Sequence, residues 1–135
     1  MALVRRPRPL SVHLDTHVAL WLAAGEVRRL RPIASRLRRG PAFISPVVLV
    51  EMEILRELGR VRRSIAEVLE VLSSDHGVVE APGDVRAIAR YARSLGWTRD
   101  PFDRLIVAHA LADGAILLTK DETIRRNCPD ARWDA

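Results

Sequence analysis

The sequence predicts an α/β domain, a central parallel sheet of about four to five strands with helices on both faces. Three observations carry this expectation. Short apolar runs alternate with stretches of helical periodicity along the chain, the pattern of strand–helix crossovers. The run AILLT at residues 115–119 is apolar on both parities, as a strand covered on both faces requires. The length, 135 residues, suits one domain and leaves no room for two of ordinary size.

The elements follow in order. Residues 1–10 carry Arg5, Arg6 and Arg8 broken by Pro7 and Pro9, and read as a loose basic arm ahead of a folded domain over residues 11–135. Residues 11–15 (SVHLD) form a strand, and residues 16–24 an apolar helix stopped at Gly25. A strongly basic helix over residues 32–39 closes at Gly40, and residues 42–45 (AFIS) form the next strand. Ser45 then caps a helix with Pro46 at its first position that runs to about Leu58, before Gly59. Residues 64–73 are helical, with Ile65, Val68, Leu69 and Leu72 on one face. A strand at residues 78–80 precedes a helix over residues 84–95, ended by Gly96. Asp100 and Pro101 open a helix that lasts to Asp113 and Gly114. The AILLT strand, a short helix from Glu122 and a last strand near Arg132 and Trp133 complete the chain.

Composition narrows the class. With 48% hydrophobic and 29% charged residues the chain is globular rather than disordered or fibrous. No stretch approaches the ~20 apolar residues of a membrane span, and the basic start leads into no signal-like apolar run. The single cysteine, Cys128, offers no intrachain disulfide and suits a reducing cytoplasm. The net charge of +5 is unevenly spread: residues 1–40 hold nine Arg against two acids, residues 41–80 four Arg against seven acids. A basic N-terminal third attracts a polyanion, because Arg binds phosphate through a planar fork of donors. Solvated helix faces in an Arg-biased chain would give the same count.

The acids are more specific. In an open parallel sheet, ligands bind beyond the carboxyl ends of the strands, near a switch in strand order. Asp15 follows the first strand and Asp121 follows AILLT, although each is also a good N-cap. Glu51 lies among Val47, Ile54, Leu55 and Leu58 on the apolar face of its helix. A carboxylate aimed at a core costs several kcal/mol unless a cation or hydrogen bonds meet it. Either a buried Glu–Arg pair or a metal at a cavity rim satisfies Glu51. Asp100 and Asp103 open one helix, where the dipole favours negative charge. Such carboxylates converging in one cleft would repel, and a hard divalent cation relieves that conflict. Oxygen ligands without a His/Cys cluster suit Mg²⁺, with Mn²⁺ able to substitute, rather than Zn²⁺.

Leu14, Asp15, Thr16 and His17, then Ser45 and Glu51, then RDPFDRLIVA over residues 99–108, then Thr119, Lys120 and Asp121 together resemble a PIN domain of the VapC toxin type, from residue 11 to about 127. The resemblance implies Asp15, Glu51, Asp103 and Asp121 as the acidic metal ligands, Asp100 as a neighbouring acid and Thr119 as a supporting hydroxyl. The chain departs from the usual pattern at Val50, where relatives often carry Trp, and at His109, where they often carry Gln. What the resemblance implies is a Mg²⁺-dependent endoribonuclease, the toxin of a toxin–antitoxin pair, with RNA as substrate, an antitoxin protein as partner and a homodimeric state. A catalytically inactive PIN-like RNA-binding or regulatory module is the alternative, and the intact set of acids argues against it.

Other residues are read more plainly. His13, His17, His76 and His109 lack the spacing of a structural zinc site. His17 and Trp21, four apart on an apolar helix, are read as packing residues. Val18, Leu20, Trp21 and Leu22, with Val48, Leu49 and Met52, exceed the apolar surface one small core should need, which points to a covering partner.

Overall fold

The computed structural model describes residues 11–135, so the basic arm at residues 1–10 lies outside it. Five short parallel strands form the sheet: β1 (Val12–Leu14), β2 (Ala42–Ile44), β3 (Val79–Glu80), β4 (Ile116–Leu118) and β5 (Ala131–Arg132). Their order is β3-β2-β1-β4-β5, all parallel. The chain steps outward from β1 to β3, then returns to the other side of β1 for β4. The switch in strand order therefore falls between β1 and β4, which pair in register from Val12↔Ile116 to Leu14↔Leu118.

The central strands are apolar because helices cover both faces. Leu14, Ile44, Leu117 and Leu118 are buried to 1% exposure or less, each such side chain contributing roughly 1.5–3 kcal/mol. The helices are α1 (Thr16–Ala23), α2 (Val27–Leu30), α3 (Ala34–Arg39), α4 (Pro46–Glu57), α5 (Ile65–His76), α6 (Val85–Ala92), α7 (Pro101–Ala112) and α8 (Glu122–Asn127). Side-chain caps set most of their starts: Asp15, Ser45, Ser64, Asp84, Asp100 and Asp121 each accept a hydrogen bond from a first-turn amide. No helix among the described residues is long and apolar enough to cross a membrane.

Two expectations need correction. The basic helix expected over residues 32–39 is a 3₁₀ turn (Arg31–Ile33) followed by α3, and the separate short helix α2 precedes it. Pro32 has no amide to donate, so it fits the first turn of a new helix but not the interior of a continuous one. Leu30 and Ile33 supply the buried anchors of this stretch.

The second correction concerns surplus apolar surface. Val18, Leu22, Val48 and Met52 are buried, and Leu20, Trp21 and Leu49 pack against the core. The exposed apolar residues of α4 are Val50, Ile54 and Leu58 (39–63%), with Leu58 at its C-cap. Its core face is thus Val48 and Met52 rather than the stripe through Ile54 and Leu58.

Candidate active site

The carboxyl ends of β1 and β4 open into a cleft of 460 Å³ lined by Asp15, Glu51, Asp100, Asp103 and Asp121, together with His17, Val18, Trp21 and Lys120. Five acids from four segments thus meet at the strand-order switch. Asp15 and Asp121 come from the loops after the two central strands, Glu51 from the second turn of α4, and Asp100 and Asp103 from the start of α7.

Capping and site membership coexist in three of these acids. Asp15 uses Oδ1 to accept from the Thr16 amide at 2.9 Å, while Oδ2 accepts from the Thr119 hydroxyl at 2.6 Å. Thr119 Oγ1 also accepts from the Asp121 amide at 3.1 Å, so one buried hydroxyl ties the β1 and β4 loops together. Asp121 caps α8 through Oδ1, and Asp100 caps α7 by accepting from the amides of Phe102 and Asp103. In Asp100 and Asp121 the cap occupies one oxygen and leaves the other for a ligand, whereas in Asp15 both oxygens accept a hydrogen bond and each keeps a further lone pair.

Glu51 is half-buried at the cleft rim and accepts a hydrogen bond from the Thr16 hydroxyl. Among the described residues no arginine pairs with it. Thr16 is buried and braces a site acid much as Thr119 does. Sequence reasoning did not single it out, although its position beside Asp15 offered the signal.

The electrostatics record the crowding. Asp103 is pushed up to about 7, first by burial and then by the charges of Asp100, Asp15, Asp121 and Glu51. Burial also raises Asp15, against the hydrogen bonds from Thr119 and the Thr16 amide. Five carboxylates face the single lysine, Lys120, among the residues that line this cleft, an excess of negative charge that a cation would relieve.

Several basic and aromatic residues settle differently. Arg104 donates to the carbonyls of Thr98 and Ala92, holding the loop before α7 rather than an acid. His109 is buried, outside the cleft lining. Its Nε2–H donates to the Pro82 carbonyl at 3.1 Å, so Nδ1 accepts from the Ser45 hydroxyl at 2.8 Å. His13 Nε2 donates to Asp113 at 2.8 Å, and burial lowers its pKa against the pull of that carboxylate. His13, His109 and Asp113 bring ligand-type atoms within 4.8 Å of one another, which no sequence spacing indicated.

This network has a steric consequence at Gly83, where a Cβ would meet His109 Nε2 at 2.7 Å and Ile88 Cδ1 at 2.9 Å. Because Ser45 and Pro82 pin the His109 ring, Gly83→Ala is expected to cost about 1–3 kcal/mol in a urea melt. An unchanged midpoint would show that the ring yields freely.

Against known proteins, residues 12–128 match the PIN domain family. The chain is 34% identical over 119 residues to Ribonuclease VapC22 of Mycobacterium tuberculosis, covering 85% of this chain and 90% of that protein. It is 28% identical over 120 residues to the tRNA(fMet)-specific endonuclease VapC of Shigella flexneri, covering 83% and 87%. In structure it resembles VapBC2 from Rickettsia felis, solved bound to a DNA fragment from their promoter, with TM-score 0.63, 17% identity, and coverage of 90% and 96%.

Proposed function

The chain belongs to the PIN-domain family in its VapC branch, and on that premise we propose that it is a divalent-metal-dependent endoribonuclease, the toxin of a toxin–antitoxin pair. The acid cluster at the strand-order switch carries this reading. An all-oxygen donor set in a cleft where Asp103 rises to about 7 fits a hard cation, Mg²⁺ or Mn²⁺. Asp15, Glu51, Asp103 and Asp121 are the residues that would hold it.

When bound, the cation neutralises phosphate charge and makes water a better nucleophile toward a phosphodiester. The chain's own residues prepare the acids for this. Thr119 and the Thr16 amide fix both oxygens of Asp15. Thr16 orients Glu51, and the α8 cap orients Asp121. Hydrogen bonds of this kind keep ligand oxygens in place before the cation arrives. Asp100 positions the first turn of α7 and with it Asp103.

The test is incubation of a mixed RNA pool with purified protein in Mg²⁺, Mn²⁺ or EDTA, with mapping of the new ends. Discrete cleavage that EDTA suppresses is expected. Intact RNA under every metal condition would favour the inactive RNA-binding module instead.

A cognate antitoxin and a cytoplasmic location belong to this reading, as does a homodimer. Support for the dimer is the exposed stripe of Val50, Ile54 and Leu58 running along α4 and its C-cap. Ile54→Glu is expected to convert the dimer to a monomer in sedimentation velocity without altering the circular dichroism spectrum. A dimer that survives the substitution would place its interface elsewhere.

A further inference from the structure

We infer that the rings of His17 and Trp21 form a stacking platform for an unpaired nucleobase adjoining the phosphate that is cut. The inference rests on the ribonuclease reading and assigns the part of the RNA that these two side chains hold.

Helix α1 begins at Thr16, so His17 stands in its first turn, two residues after Asp15. Its neighbours Val18, Ala19 and Leu22 are buried, whereas His17 is exposed. His17 meets Trp21 as their spacing suggests, but its ring is exposed and lines the cleft rather than the core. The imidazole lies over Trp21 with centroids 6.2 Å apart and planes inclined by 27°.

Trp21 is braced in turn. The Arg29 guanidinium sits 5.1 Å from the centre of its ring, and Trp133 meets it edge-on at 5.9 Å. Arg29 is itself paired with Glu26 at 2.9 Å. Trp21 is thus held in place before any ligand arrives and the exposed His17 ring rests against it, so less conformational entropy is lost when a base settles there.

Position supplies the second argument. His17, Trp21 and Glu51 line the acidic cleft and also a second groove of 560 Å³, which carries Arg29, Arg60, Arg62 and Arg63. Without a bound cation the acidic cleft repels a polyanion, because its five carboxylates face Lys120 alone. A strand must be gripped beside the cleft, by cations on its phosphates and π faces on its bases. The groove offers both, and His17 and Trp21 mark where it meets the acids. Stacking accepts every base, since each has a π face. The platform thus contributes affinity and strand placement more than a choice of letter.

The experiment is steady-state cleavage of a short RNA oligonucleotide containing the mapped cut site, by wild type, His17→Ala and His17→Phe. A series with one abasic nucleotide walked along the strand accompanies it. His17→Ala is expected to raise KM about tenfold with kcat nearly unchanged, and His17→Phe to restore KM because it keeps the ring. One abasic position should reproduce the rise in wild type and add nothing in His17→Ala.

Unchanged KM in His17→Ala, or no rescue by Phe, would overturn the platform. So would abasic effects that all add to that of His17→Ala. If the substitution weakened only binding of the antitoxin protein, the surface would serve a protein and the proposal would fall. If a variant misfolds, the wild-type abasic series still tests the platform, because no rise in KM at any abasic position would by itself overturn it. Failure of wild type to cut any RNA would instead remove the ribonuclease reading, and the platform with it.

Discussion

Asp103→Asn should abolish RNA cleavage and, in the same protein, stabilise the metal-free fold at neutral pH. The two effects share one cause. Asp103 is pushed up to about 7 by burial and by four neighbouring carboxylates. Below that value the native state holds a proton that the unfolded chain has already released, since an unfolded Asp titrates near 3.8. The native state thus binds more protons than the unfolded state across pH 4 to 7. By linkage, the stability of metal-free wild type falls as pH rises through that window. Asn carries no charge, so the fall attributable to this position disappears. The gain at pH 7 should be on the order of 2 kcal/mol, once solvent screening of a half-buried group is allowed for. Urea melts in EDTA at pH 5 and pH 7 measure it. Equal stability of wild type and variant at both values would show that the acids do not repel one another.

Glu51→Gln should lower cleavage by roughly three orders of magnitude or more, under conditions where chemistry limits the rate. The fold should survive, because the amide oxygen still accepts from the Thr16 hydroxyl. Asp15→Asn and Asp121→Asn should behave alike, and combined losses should fall far short of additive because the ligands act as a unit. Asp100→Asn supplies the contrast. Asn caps a helix about as well as Asp, so the hydrogen bonds from the amides of Phe102 and Asp103 persist and the catalytic loss is smaller. Equal and complete loss in Asp100→Asn would make Asp100 a full member of the site. Full turnover by Glu51→Gln would remove Glu51 from it.

The sequence by itself determined the alternation of strand and helix, since apolar runs and caps such as Asp15, Ser45 and Asp121 are local signals. It also determined which acids stand at the strand ends, because a loop residue after a parallel strand lies at that edge whatever the packing. What it left undecided was which neighbour each face would meet. Periodicity placed Glu51 among Ile54, Leu55 and Leu58, yet the core lies against Val48 and Met52, and the other stripe borders the cleft and solvent. The same limit applied on α1, where His17 shares its helix with buried Val18 and Leu22 but looks into the acidic cleft.

Thr16 beside Glu51, and His109 between Ser45 and Pro82, are contacts across 35, 64 and 27 residues of chain. Only tertiary structure decided them. A side chain's helical neighbours follow from its position in the chain, whereas its partners across the fold depend on how sheet and helices are stacked.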